Sequence, residues 1–183
     1  MLSLPLEFES DNAQAGFRLH RLEVLNWGTF NRQVWAIEPG GQTALLTGAN
    51  GSGKSTLVDA LLTLLVPNQR RAYNQAGGDG RKRERDERSY VLGAYGKVKA
   101  EDSYTARTQH LRSRNDYSVL LAVFGNSGYR EQVTLAQVFW FQQDQVQKFF
   151  AIAGRALSIA ADFSQFGTPT DLKRRLRQAN VEV

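Results

Sequence analysis

This chain contains no cysteine. That absence excludes a disulfide frame, thiol chemistry and any metal site built on thiolates. Histidine is scarce too: His20 and His110 are the only two, and they lie far apart in sequence. A histidine-based zinc centre is therefore not expected. No apolar run approaches the length needed to span a bilayer. The start, Met-Leu-Ser-Leu-Pro-Leu, runs into Glu7, Glu9 and Asp11 and lacks the basic and apolar regions of a signal peptide. The expectation is a cytoplasmic protein with no membrane contact. No internal repeat or low-complexity tract is present. Proline is limited to four residues, and one of them, Pro67, marks a helix end.

What is present is an ordinary globular composition: 42% hydrophobic and 22% charged residues over 183 positions. That length suits one domain with a full core. The net charge of +5 permits an anionic partner without requiring one. Its distribution is uneven. One basic cluster holds Arg70, Arg71, Arg81, Lys82, Arg83, Arg85 and Arg88, interleaved with Asp79, Glu84, Asp86 and Glu87. A second holds Arg107, His110, Arg112 and Arg114, and a third Lys173, Arg174, Arg175 and Arg177. Such runs are usually solvated faces. The competing reading is contact with nucleic-acid phosphates, for which Arg112, Arg114, Lys173 and Arg174 are the candidates.

Along the chain, residues 1 to 16 read as a loose acidic lead-in and 17 to 183 as one lobe. Alternation from Phe17 to Leu25 predicts a strand ending at Asn26-Trp27-Gly28. Thr29-Phe30 and Gln33 to Ile37 predict a second strand, with Glu38-Pro39-Gly40-Gly41 as the turn after it. Thr43 to Thr47 reads as a short buried strand. Thr56 to Val66, with Leu57, Val58, Leu61, Leu62 and Leu65 at helical spacing, reads as a helix. Residues 68 to 88 read as an exposed loop, and Ser89 to Ala100 as holding a short helix. Tyr117 to Phe124, Gln132 to Phe141 and Lys148 to Ala153 predict three strands, the first two joined by a turn at Gly125-Asn126-Ser127-Gly128. Asp171 to Ala179 predicts a helix capped by Thr170 or Asp171.

The sharpest motif is Gly48-Ala49-Asn50-Gly51-Ser52-Gly53-Lys54-Ser55, which fits the phosphate-binding pattern G-x-x-x-x-G-K-[ST]. Its glycines let backbone N–H groups approach an anion, and the following helix turns its positive end toward it. A lysine at a helix start is disfavoured by the dipole unless an anion is bound there. Asn50, Gly51, Ser52, Gly53, Lys54, Ser55 and Thr56 are the predicted nucleotide contacts. Lys54 is assigned to the β- and γ-phosphates as the catalytic charge, and the Ser55 hydroxyl to Mg²⁺. The cofactors expected are ATP and Mg²⁺.

One P-loop strand and helix among many strands without intervening helices differs from a doubly wound NTPase. The fold class expected is α/β, a mixed sheet with an antiparallel strand-rich part around a P-loop helix. The elements Leu22-Glu23-Val24-Leu25-Asn26-Trp27-Gly28-Thr29-Phe30, the P-loop about twenty residues on, and Leu57-Val58-Asp59-Ala60-Leu61 resemble the N-terminal half of an SMC-like ABC ATPase head. Together with Arg70-Arg71-Ala72-Tyr73-Asn74-Gln75-Ala76-Gly77, they are similar to the MukB-like branch that includes MksB and the JetC-type ATPases of Wadjet anti-plasmid systems.

The resemblance implies a nucleotide sandwiched between two copies of the head, with Asn26 and Trp27 near it. It also implies sequence-independent contact with double-stranded DNA, and kleisin, winged-helix and nuclease subunits as partners. Arg70 and Arg71 are candidates to face the nucleotide or the opposite head. A signature motif, a Walker B aspartate and a catalytic glutamate are not found. Ile159-Ala160-Ala161-Asp162 is followed by Phe163 and reads as the end of a helix or strand. Gln142 and Gln143 are candidates for a Q-loop glutamine, but their polar neighbours favour an exposed hairpin. In such proteins the missing parts follow a coiled coil, so the chain is expected to be the first part of a head. The alternatives are the nucleotide-binding domain of an ABC transporter, a chromosome-organising condensin, and a non-enzymatic nucleotide sensor.

Overall fold

A five-stranded antiparallel sheet, buried on both faces at its centre, organises the chain. The computed structural model describes residues 16–71, 73, 86–99 and 106–183. The acidic lead-in, Arg81 to Arg85 and the stretch from Asn74 to Gly77 lie outside the described residues. The sheet contains β1 (Arg18–Trp27), β2 (Phe30–Ile37), β5 (Ser118–Asn126), β6 (Glu131–Gln142) and β7 (Gln145–Ala153), in the order β2-β1-β5-β6-β7. A separate two-stranded ribbon pairs β3 (Ala94–Lys99) with β4 (Ala106–His110). The helices are α1 (Lys54–Leu65), α2 (Glu87–Leu92), α3 (Ile159–Asp162) and α4 (Pro169–Gln178).

The central strand explains its own sequence. Val119, Leu121 and Val123 of β5 join Val138 and Ala151 in a core closed by Ile159 of α3, Phe163 at its C-cap, and Leu172 and Leu176 of α4. The alternate residues Leu120 and Ala122 face Leu22, Val24, Leu57 and Ala60, beneath α1. A strand covered on both sides has no polar face, so Val119 to Val123 is continuously apolar. One buried charge breaks the pattern of β1. Glu23 lies opposite Leu121, binds Arg21 at 2.8 Å and accepts a hydrogen bond from the Ile159 N–H at 2.7 Å. A carboxylate at the start of α3 meets its unpaired amides.

Three elements differ from their sequence expectation. Thr43 to Thr47 forms no strand with any described residue and is exposed, with Leu45 87% accessible. Ser89 to Ala100 is helical only to Leu92. Gly93 then ends α2 at φ 68° and opens β3. Helix α4 is capped by Thr168, whose side chain accepts from the Asp171 N–H, with Pro169 in the first turn. The hairpin reading of Gln142 and Gln143 agrees with the structure. Gln142 pairs with Gln145, and Gln143 and Asp144 occupy the turn at φ 48° and 63°. Ile159 to Asp162 is α3, and Asp162 accepts from the Ser158 N–H at 2.8 Å. No helix among the described residues is long and apolar enough to cross a membrane.

Trp27 is the largest fully buried side chain, and its indole stacks on Tyr90 with centroids 4.8 Å apart and planes 5° from parallel. Trp27→Ala empties that layer between β1 and α2. It is expected to cost about 3–5 kcal/mol, read as a lower denaturant midpoint at unchanged slope.

Candidate functional site

The P-loop adopts the backbone its glycines permit. Gly48, Gly51 and Gly53 have φ of 151°, 81° and 94°. A Cβ on Gly51 would meet no atom within 4 Å, so its open side is the side available to a ligand. Gly53 is the N-cap of α1, makes no side-chain cap, and is followed by a first turn without acidic residues. The helix thus presents its N–H groups and positive dipole end without a competing carboxylate. Lys54 curls across the loop and donates to the carbonyls of Gly48 at 2.6 Å and Ala49 at 2.8 Å. An ammonium has three donors, and two carbonyls leave one for a phosphate oxygen.

These features fit a nucleotide triphosphate. They fit a magnesium ion only in company, because no cluster of three acidic or histidine groups exists among the described residues. Ser55, half-buried beside Lys54, would supply one oxygen and the phosphates the others. Asn50, Gly51 and Ser52 lie exposed along the loop, while Thr56 is buried.

The C-terminal side of the loop is wedged from behind. A Cβ on Gly53 would come within 2.6 Å of the Phe30 ring, and a Cβ on Gly28 within 2.7 Å of the Thr56 methyl. The β1–β2 turn therefore rests directly on the loop corner and on the first turn of α1. Thr56 turns its methyl to that contact. Asn26 and Trp27 belong to the same support and are not positioned to touch a nucleotide. Asn26 donates to the Tyr117 carbonyl and accepts from the Arg32 N–H, both at 2.8 Å. Trp27 is 0% exposed and is covered by Tyr90. Tyr90 also donates its hydroxyl to Asp59 on α1.

Arg112 holds this support together and is not a surface cation. It is 7% exposed and donates to the carbonyls of Gly28 (2.8 Å), Phe30 (3.1 Å), Tyr90 (2.6 Å) and Val91 (2.7 Å), and to Asn31 at 3.3 Å. Burial pushes its guanidinium down to about 10, opposed by Asp116, so it remains a cation at neutral pH. This removes Arg112 from the predicted DNA contacts. Arg71 is likewise internal. It donates to the carbonyls of Thr63 (2.8 Å) and Val66 (2.9 Å) at the end of α1 and pairs with Glu87, so it faces neither nucleotide nor partner.

The other predicted DNA residues are accessible but engaged. Arg114 pairs with Asp144 at 3.0 Å, Arg174 with Asp171 at 2.8 Å, and Lys173 lies 5.0 Å above the Phe149 ring. Arg88 shares Asp144 with Arg114, and these contacts hold that carboxyl below its usual range. Arg175 is turned to the carbonyls of Asp162 and Ser164. The role of Arg112 gave no sequence signal, because a buried arginine bound to carbonyls reads like any other member of a basic run.

Residues 19–80 match the family model described as the P-loop containing region of AAA domain. That span covers β1, β2, the loop and α1. A solved structure from work on the structural biochemistry of ATP-driven dimerization and DNA-stimulated activation of SMC ATPases has a TM-score of 0.48 and 15% identity. The match covers 90% of this chain and 81% of that one.

Arg112→Met keeps an apolar stem but removes the side-chain donor to the carbonyls of Gly28, Phe30, Tyr90 and Val91. A loss of about 3 kcal/mol or more is expected. It is measured by chemical denaturation, together with faster amide exchange at Gly28, whose N–H donates to Tyr90.

Proposed function

We propose that this chain is an ATP-binding lobe of an SMC-like motor head, and that ATP with Mg²⁺ sits on the Gly48–Ser55 loop. The carrying observation is the loop itself: three glycines at positive φ, an uncapped helix start behind them, and Lys54 spanning the loop with a donor to spare. Lys54 and the backbone amides would hold the β- and γ-phosphates, and Ser55 one position of the metal. The chemistry asked of these groups is positioning and charge stabilisation.

Close to the loop are apolar side chains that this chain leaves in water: Leu45 and Leu46 before it and Val58 one turn into α1. Their exposure supports a loop that works against a further protein surface, as in two heads closing on shared nucleotide. The finer reading is a MukB- or MksB-like machine moving along DNA, of the Wadjet anti-plasmid type, with kleisin, winged-helix and nuclease subunits. It rests on the resemblance of Leu25-Asn26-Trp27-Gly28, the Gly48–Thr56 loop and the Arg70-Arg71-Ala72-Tyr73-Asn74-Gln75-Ala76-Gly77 segment. ATP hydrolysis belongs, in this reading, to the engaged pair. The buried packing of Asn26 and Trp27 suits a structural role for the first element.

Lys54→Ala removes a charged donor worth about 1.5–3 kcal/mol, so ATP–Mg²⁺ affinity is expected to fall about tenfold or more. Calorimetric titration of both proteins decides this. Equal affinities would remove the site assignment.

DNA contact is proposed for the accessible cations Arg114, Lys173 and Arg174. All three border the β6–β7 hairpin or the α4 face beside it, through Asp144, the Phe149 ring and Asp171. Phosphate contact carries no base preference and weakens with salt in proportion to the charges neutralised. Joint reversal of the three in the full assembly is expected to weaken binding equally on unrelated sequences. It should also lower the salt slope by about one for each phosphate no longer neutralised. Unchanged affinity and slope would return them to their intramolecular partners alone.

A further inference from the structure

We propose that the cleft at the end of the sheet remote from the P-loop is a second binding site, for a small organic phosphate. It stands independently of the triphosphate reading. His20 lies on its wall, near the start of β1, whereas the turn that supports the P-loop follows Trp27 at the other end of that strand. The span between them is roughly 23 Å at the rise of an extended strand.

The wall is built by a bulge. Leu19 lies opposite Phe124 and Arg21 opposite Val123, so His20 is the extra residue of β1. Bulges often lie beside active sites, where they re-aim a side chain. Two glycines make room for this imidazole. A Cβ on Gly125 would come within 2.6 Å of its Nε2, and one on Gly41 within 3.0 Å. The Gly41 N–H donates to the Leu19 carbonyl at 3.0 Å and the Gly40 N–H to the His20 carbonyl at 3.1 Å. The turn after β2 is thereby fastened to the bulge, and the ring is held in place between the two glycines.

Beside it opens a cleft of about 580 Å³, completed by the β5–β6 turn and the residues after β7. That volume suits a metabolite-sized ligand. Arg130 comes from the turn and Arg155 from the far side. Among the described residues neither meets a carboxylate, unlike Arg71, Arg88, Arg114 and Arg174. Arg155 makes a long contact with the Ala179 carbonyl, at 3.4 Å, and keeps most of its fork free. Two guanidiniums on one cavity without a counter-charge suit a phosphoryl group, which accepts forked hydrogen bonds. Ser127 and Gln132 offer neutral polar groups to the rest of the ligand, and no Phe, Tyr or Trp lines the cleft for a base. Glu131, the lone carboxylate among the described lining residues, opposes an anion. A duplex could present only a backbone phosphate to such a recess, while a free molecule enters it whole.

The test titrates glycerol 3-phosphate into the whole chain, followed by NMR, in wild type and in Lys54→Ala. The Gly41 and Gly125 amides and the His20 ring should shift, with equal affinity in both proteins. Arg130→Ala and Arg155→Ala should each weaken this binding about tenfold, and leave ATP–Mg²⁺ affinity and the denaturant midpoint at wild-type values. Glu131→Gln should tighten it severalfold, a change that a merely structural role would not produce. A lower midpoint in Arg155→Ala would leave the decision to Arg130→Ala and Glu131→Gln, whose replaced side chains form no described hydrogen bond or ion pair. Absence of shifts at Gly41 and Gly125 in the millimolar range would overturn the proposal. So would unchanged affinity in Arg130→Ala and Glu131→Gln, or loss of binding in Lys54→Ala, which would put the phosphate on the P-loop. A short DNA duplex is the second arm. If Arg130→Ala and Arg155→Ala weaken the duplex and not glycerol 3-phosphate, the cleft is a DNA contact and the proposal falls.

Discussion

The guanidinium of Arg112 fixes the relation between the sheet and the P-loop. It bonds the carbonyls of Gly28 and Phe30 in the β1–β2 turn and those of Tyr90 and Val91 at the end of α2. Arginine suits this because its planar fork directs several donors at once and keeps its charge when buried. The carbonyls at a helix end carry partial negative charge and lack intrahelical partners. One cation therefore satisfies α2 and closes the turn. From the turn, Phe30 and Gly28 press on Gly53 and Thr56. The geometry of the loop corner thus descends from a residue more than fifty positions downstream.

Much of the basic character of this chain is used internally in this way. Arg71 bonds carbonyls at the end of α1, Arg175 those of Asp162 at the end of α3 and Ser164 just after it, and Arg112 those of α2. Each looks in sequence like part of a cationic patch. In the structure each closes a helix end or the loop after it. Among the described residues the surface charge available to a polyanion is correspondingly smaller than the clusters suggest, and Arg88, Arg114 and Arg174 pair with Asp144 or Asp171.

How much was legible follows from where the determinants lie. Helix α1 and the glycines of the loop are local signals, and the strands β1, β2, β5, β6 and β7 could be read from alternation or an unbroken apolar run. The ribbon β3–β4 could not, since Ala94-Tyr95-Gly96 has weak strand character and depends on its register with Gln109 and His110. Thr43 to Thr47 has the composition of a buried strand, but strand formation needs a neighbour, and none of the described strands pairs with it. Within the site, the motif marked the phosphate-facing residues. It could not show that Trp27 is buried, because that depends on the Tyr90 ring of α2 stacking on it.

The loop is consequently braced unequally. Its far side is wedged between Phe30 and the start of α1, while its near side is tied by Lys54 to the Gly48 and Ala49 carbonyls and Thr43 to Thr47 pairs with no described strand. A strand laid along that segment would occupy its backbone N–H and C=O groups and brace the near side as the β1–β2 turn braces the far one.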